Sequence, residues 1–239
     1  PGTNPREQLS QWRQEIKAMY QGTPKYPATI SLAAHARNLN IPESYLQELV
    51  TGMEMDLMNT RYATFNDLYP YCYRVASIVG LICLKVFGTQ DPRAKDYAIN
   101  LGVAFQLTNI LRDVGADANR QRIYLPQEDL AHFNYSEQQL LEKKESVQFL
   151  ELMKFQAKRA HEFYEKAQAA YETLSRKDRQ SLLAAEIMRG IYFRILTRIQ
   201  TSNYAVFGPR ISLSPAYRIL IALYTWLRHS LINRLTSQL

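Results

Sequence analysis

Asn109 to Pro126 reads Asn-Ile-Leu-Arg-Asp-Val-Gly-Ala-Asp-Ala-Asn-Arg-Gln-Arg-Ile-Tyr-Leu-Pro and sets Asp113 and Asp117 four residues apart in a largely apolar segment. At about 100° per residue, Gly102, Gln106, Asn109, Asp113 and Asp117 fall within roughly 80° of one another on a helical wheel. Leu101, Val103, Phe105, Leu107, Leu111 and Val114 take the remaining directions. This is a polar seam on an otherwise apolar helix, so the helix can bury most of its surface. Two carboxylates facing a dry interior are costly unless a cation meets them. With a carboxamide on the preceding turn and no His or Cys in the set, Asn109, Asp113 and Asp117 offer oxygen ligands suited to Mg²⁺. Arg112 and Arg122 flank the pair, and their planar forks suit phosphate oxygens. An isolated Asp pair at this spacing is most often a solvated face with local ion pairs. Apolar residues on three sides argue against that here, and the seam reads as a metal-diphosphate site.

Composition agrees with a helical protein. The chain has 239 residues, 46% of them hydrophobic and only 9 Gly, enough for a continuous core with few tight turns. No apolar run is expected to reach the roughly 18 residues needed for a membrane span, and Pro1 to Pro5 lacks the pattern of a signal peptide, so the chain reads as soluble or peripheral. Cys72 and Cys83 are eleven residues apart on one predicted helix. That is about 16 Å, too far for a disulfide and in keeping with a reducing cytoplasm. The net charge of +7 suits a polyanionic partner. Without a dense basic run, a zinc-finger spacing or another nucleic-acid module, nucleic acid is the least fitting partner.

Helical periodicity dominates from end to end, and no linker is long enough to divide the chain, so residues 1–239 read as one all-α bundle. Helices are expected over residues 5–20, 28–38, 42–58 and 64–87, then from Asp91-Pro92 through the acidic pair. Others follow near 136–142, 147–173 and 177–201, and after Pro215. Thr64 reads as a cap, Gly88 as a break and Pro126 as a stop. On the 64–87 helix, Tyr71, Val75, Ile78, Val79 and Ile82 share a face, an apolar wall carrying one phenol. The stretch from Ala216 to Arg234 alternates Leu220, Ile221, Leu223, Tyr224 and Leu227 with Arg218, Arg228 and His229. A closing core helix is the first reading of this pattern and a membrane-surface helix the second.

Taken together, Gly52-Met53-Glu54-Met55-Asp56, Tyr71-Cys72-Tyr73-Arg74-Val75-Ala76, Gln106 through Asp117, and Arg122-Ile123-Tyr124-Leu125-Pro126 strongly resemble the squalene and phytoene synthase family over essentially the whole chain. The wording around Gly52 and Tyr71 is closest to bacterial presqualene diphosphate synthases, with phytoene synthases next. The resemblance implies an isoprenoid synthase-type bundle with a central substrate cavity. It also implies a cytoplasmic prenyltransferase that joins two farnesyl diphosphates head to head into presqualene diphosphate. Phytoene synthesis from two geranylgeranyl diphosphates is the alternative, and a non-catalytic prenyl-diphosphate-binding homologue a third. Association with the inner face of a membrane, or with other isoprenoid-pathway enzymes, fits the same picture.

By the resemblance, Asn109, Asp113 and Asp117 hold Mg²⁺, while Arg112, Arg122, Tyr192 and Arg210 contact diphosphate. Tyr71 stands near the carbocation, and Gln106, Val75 and Val79 line the tunnel. Going on to squalene would need a hydride from NADPH, and no Gly-rich dinucleotide fingerprint is present, a weak sign in this fold. The family has a second aspartate-rich motif that this sequence lacks: Asp56 has only Glu54 nearby, and Asp91 and Asp96 are five apart. The expectation is that N-terminal helices bearing that motif precede Pro1, a pseudoenzyme being the lesser alternative.

Overall fold

The computed structural model describes residues 4–235, and these form helices and turns with no strand. The organising element is α6 (Ala94–Ala118), whose buried residues point in nearly every direction. A helix this apolar all round sits inside its neighbours rather than on them. Its most extensive partner is α9 (Val147–Glu172), and α11 (Leu183–Thr201) packs on it as well. The opposite flank is closed by a helical unit made of α4 (Phe65–Cys72), a π-helical stretch Tyr73–Ser77 and α5 (Ile78–Phe87).

That unit was expected as one regular helix. It begins as expected: the Thr64 hydroxyl accepts from the Asp67 N–H at 3.2 Å, and Asp67 accepts in return from the Thr64 N–H at 2.9 Å. It also ends as expected, at Gly88 with φ 72°. Inside it, Pro70 removes a backbone donor, and three residues later the ladder widens into the π turn. The wider turn is clamped against α6 by the Ser77 hydroxyl, which donates to the Ile99 carbonyl at 2.7 Å. A Cβ on Gly102 would lie 2.5 Å from Ser77 Cα, so only glycine lets the two backbones meet there.

The π turn also corrects the expected apolar face. Tyr71 and Ile78 point into the core at 6% and 1% exposure, while Val79 is 45% exposed and lies over a cavity. Val75 packs toward Gly52 of α3 (Glu43–Met58). One additional residue in a turn rotates everything after it by about 100°, so Tyr71, Val75 and Val79 do not form one wall. The stretch Phe65–Phe87 is long and apolar enough to cross a membrane by length and composition. This corrects the expectation that no apolar run reaches that length. Within the fold Leu68, Cys72, Ser77 and Ile78 are buried against neighbouring helices.

α1 (Pro5–Tyr20) and α2 (Pro27–Asn38) lie outside α3. Arg13 joins α1 to α3 through a two-pronged pair with Glu54 at 2.5 and 2.8 Å. Beyond α6, two short helices flank the chain's return, α7 (Gln127–His132) and α8 (Glu137–Leu141). Pro126 therefore precedes a helix as well as ending the link before it. Asp129 of α7 is buried and held by Arg159 of α9 at 2.6 Å. The helix expected over 177–201 is broken into α10 (Arg176–Ser181) and α11, where Leu182 turns fully into the core.

The last helix, α12 (Pro215–Leu235), departs most from the first reading. Ile221 is buried at 2%, whereas Ile219, Leu220, Leu223, Tyr224, Trp226 and Leu227 are all exposed. It lies along α11, and over residues 215–229 only Ile221 turns into the core; the side chains of Leu231, Ile232 and Arg234, which the same pattern includes, lie outside the described ones.

Candidate active site

Asp113 sits on the α6 seam between two arginine forks. Arg112 donates from Nε at 2.9 Å and from Nη2 at 2.5 Å, and Arg210 donates from Nε at 2.9 Å and Nη2 at 3.1 Å. Arg112 is nearly buried, whereas the Arg210 side chain is 64% exposed. Burial alone would raise the Asp113 carboxyl, but the two guanidinium groups more than offset it and hold it at about 2. The placement of Arg210 depends on Gly115. Its missing side chain admits the 206–207 backbone, whose Val206 carbonyl oxygen would lie 2.6 Å from a Cβ.

Asp117, one turn on, is the opposite case. Among the described residues no hydrogen bond or ion pair reaches its carboxylate. Burial, then the charge of Asp113, push it up to about 6, and Arg120 and Arg122 offset this only in part. On the preceding turn Asn109 donates to Gln106 Oε1 at 3.3 Å, which leaves its own Oδ1 buried without a partner. An orphaned amide oxygen and a charge-starved carboxylate, both hard oxygen donors, fit a small divalent cation such as Mg²⁺. The described residues hold no cluster of three or more His, Cys, Asp and Glu that could bind a metal without help. Water and diphosphate oxygens are what such a cation ordinarily takes in its remaining positions.

Beside Asp117 lies a second cluster that the sequence reading passed over. Asp56, near the end of α3, accepts from the Tyr71 hydroxyl at 3.0 Å and from the Tyr124 hydroxyl on the same oxygen. Arg122 donates to the other oxygen at 2.8 Å. Arg122 is thus paired with Asp56 while it also stands beside Asp117, whose carboxyl feels its charge. The Tyr71 ring stacks on Tyr124 with centroids 5.4 Å apart, and Tyr62 stacks on Tyr124 at 6.1 Å. The 122–128 segment is pinned to the 60–63 link by Ile123 N–H to the Thr60 carbonyl at 3.0 Å and Gln127 N–H to the Tyr62 carbonyl at 2.9 Å. No second acid stands at helical spacing from Asp56 to mark it as a site residue. Its partners lie 15 to 68 residues away in sequence, a distance no local pattern reports.

Along α6 toward its N-terminus, the seam gives way to an apolar cavity of about 250 Å³. Val79, Gly80 and Cys83 of α5, Ala98, Gly102 and Phe105 of α6, and Met188 of α11 line it. Tyr192 stacks on Phe105 at 4.4 Å and lies near Arg210. It therefore backs Phe105, which lines the cavity, without lining the cavity itself. Of the expected tunnel residues only Val79 lines this cavity; Gln106, between cavity and aspartates on α6, and Val75 do not. A larger cavity of about 560 Å³ opens between α9, α11 and α12, lined by Arg189, Arg194 and Arg228 and by no residue of the acidic seam.

An all-α bundle that ends an apolar cavity on carboxylates and arginine forks is of the isoprenoid synthase class. Over residues 1–217 the chain matches squalene/phytoene synthase, and it belongs to that family, whose members condense two prenyl diphosphates head to head. A phytoene synthase of Arthrospira platensis is 39% identical over 217 residues, which is 85% of this chain and 69% of that protein. The 15-cis-phytoene synthase of a Synechocystis species is 38% identical over 234 residues, 93% of this chain and 68% of that one. Among solved structures, a dehydrosqualene synthase in complex with ligand superposes with a TM-score of 0.83 at 29% identity, covering 94% of this chain and 79% of that one. The squalene synthase of Alicyclobacillus acidocaldarius shares the fold, with a TM-score of 0.77 at 22% identity over 85% of this chain and 76% of that one.

Proposed function

We propose that the protein condenses two geranylgeranyl diphosphates head to head on the way to phytoene. The observation that carries this reading is the length of the seam and cavity. From Asp113 back to Ala98, which lines the cavity, is fifteen residues of one helix, or roughly 22 Å. At about 5 Å for each extended isoprene unit, by the same bond geometry that sets the reach of a peptide, that accommodates three to four units beside a diphosphate at the Asp113 end. The relatives named phytoene synthase, at 38–39% identity, support the longer chain. Farnesyl diphosphate, which the wording around Gly52 and Tyr71 put first, keeps its own support in the dehydrosqualene synthase likeness.

In this reading Asn109, Asp113 and Asp117 hold Mg²⁺, which when bound supplies positive charge to a departing diphosphate. Arg112 and Arg210 present forked donors to diphosphate oxygens, with exposed Arg210 the one free to leave Asp113 for them. Gln106 and Asn109 orient the head of the prenyl chain. Phe105, Val79 and Met188 keep water from the allylic cation while the second substrate's double bond attacks it. Tyr71 stands at the polar end as the acceptor for the proton lost on cyclopropane closure. NADPH enters only if the product is carried to squalene, since phytoene formation consumes no hydride. The exposed apolar residues of α12, with Arg218 and Arg228, support peripheral association with an anionic membrane.

Incubation with Mg²⁺ and either geranylgeranyl or farnesyl diphosphate, followed by mass spectrometry, tests the assignment. A C40 hydrocarbon from the first substrate is expected. Efficient conversion of the farnesyl compound alone would replace this reading with the C15 one.

A further inference from the structure

The Tyr71 phenol is buried, and its one proton is donated to Asp56 Oδ1 at 3.0 Å. What Tyr71 can offer to anything else is therefore a lone pair. Burial, together with the neighbouring Tyr124 and Asp56, pushes the Tyr71 hydroxyl far above the ordinary phenol range, so it rests as a neutral phenol. A neutral phenol that takes up a proton must release its own, and the only acceptor that its hydrogen bond addresses is Asp56. Asp56 is kept ionised by that same cluster: desolvation opposes ionisation, but Tyr124, Arg122 and Tyr71 together lower its carboxyl below the usual range. The cluster also adjoins the acidic seam, because the Asp56 charge is felt at Asp117. Three separate parts of the chain, α3, α4 and the 122–128 segment, converge to build this arrangement, which no single helix requires.

We infer that Asp56 is a positioning residue that fixes the Tyr71 hydroxyl and receives its proton during ring closure. This rests on the head-to-head reading given above. The C–H bond on the carbon two bonds from the cationic centre, the former allylic cation carbon, breaks, and its electron pair closes the cyclopropane C–C bond onto that centre. The released proton goes to Tyr71 Oη as the Tyr71 proton passes to Asp56 Oδ1. Phenol is regenerated, the carboxylate becomes a carboxylic acid, and the acid later returns its proton to water. No oxidant or reductant takes part. Tyr124 and Arg122 hold the receiving carboxylate in place, and the stack of Tyr71 on Tyr124 fixes the phenol's direction.

The test compares the unaltered protein with Asp56→Asn, Asp56→Glu and Tyr71→Phe, using geranylgeranyl and farnesyl diphosphates with Mg²⁺ in single-turnover and steady-state assays. Asp56→Asn should lower kcat on the order of 10²-fold, the usual size of a general-base contribution, with KM changed less than threefold. Asp56→Glu should recover part of that rate. In the unaltered protein, D₂O should slow the single-turnover formation of the cyclopropyl diphosphate. Asp56→Asn should divert substrate to allylic alcohol, since a cation not deprotonated in time is caught by water. A folded Asp56→Asn with full kcat, a loss confined to KM, or no D₂O effect would each overturn the relay. If Asp56→Asn does not fold, the D₂O measurement on the unaltered protein and the Tyr71→Phe rate decide alone. Absence of any head-to-head product from either substrate would instead remove the functional reading beneath it. A C15 product with the relay signatures intact would change only the chain length.

Discussion

Asp117→Asn should stabilise the metal-free protein at neutral pH. The carboxyl is pushed from its ordinary 3.8 to about 6 by burial and by Asp113. Because the folded-state value lies above the ordinary one, the group's favourable contribution is complete below about pH 4 and is lost as pH rises through 6. At about 1.4 kcal/mol for each pH unit, ionised Asp117 opposes folding at pH 7.5 by on the order of 3 kcal/mol before screening. The side chain is partly open to solvent, so roughly half of this survives. Asparagine keeps the shape and removes the charge, which for a chain of this length corresponds to a Tm gain of roughly 3–6 °C at pH 7.5. At pH 4.5 the gain should fall to roughly a third of that. Urea unfolding of both proteins in EDTA at the two pH values measures it. Mg²⁺ added with inorganic diphosphate should then stabilise the unaltered protein more than the variant. Equal stability of the two proteins at pH 7.5, or a gain of the same size at pH 4.5, would refute the picture of a carboxylate waiting for a cation.

Asp113→Asn should reduce turnover on the order of 10²-fold, through lost charge at the leaving diphosphate, and weaken the Mg²⁺ dependence seen in a steady-state assay. An unchanged Mg²⁺ profile would remove Asp113 from the cation site. Gly102→Ala should destabilise by about 3 kcal/mol or more, since its Cβ meets the Ser77 backbone rather than a movable side chain; a urea midpoint near that of the unaltered protein would contradict the close crossing. Cys83→Phe should shorten the cavity and shift the ratio of C15 to C20 conversion toward farnesyl diphosphate, which competition of the two substrates measures directly. Arg210→Ala should raise KM for the diphosphate substrate more than it lowers Tm, because the side chain is largely exposed and its one partner keeps Arg112.

The helices around the acidic seam were legible because their signals are local. Apolar spacing marked α6, the Thr64 box marked the start of α4, and Gly88 marked the end of α5. The seam itself was legible for the same reason, since Asn109, Asp113 and Asp117 are neighbours on one helix. Asp56 was not, because what makes it a site residue is Tyr71, Tyr124 and Arg122 arriving from elsewhere. Nor was the pairing of Arg122 with it, which is a tertiary contact across 66 residues. The misplaced face through Val75 and Val79 has another cause. A helical wheel assumes 3.6 residues per turn, and Tyr73–Ser77 does not keep that count. α12 misled because an amphipathic pattern with basic residues suits a core and a surface alike, and only its neighbours decide.

That wider turn at Tyr73–Ser77 acts as a phase shifter between two halves of one helix. Upstream of it, Tyr71 is aimed at Asp56; downstream, Val79 and Cys83 are aimed at the hydrocarbon cavity. The chemical end and the measuring end of the site can therefore drift independently. Residues after Ser77 can exchange bulk to suit a longer or shorter chain while the phenol keeps its partner.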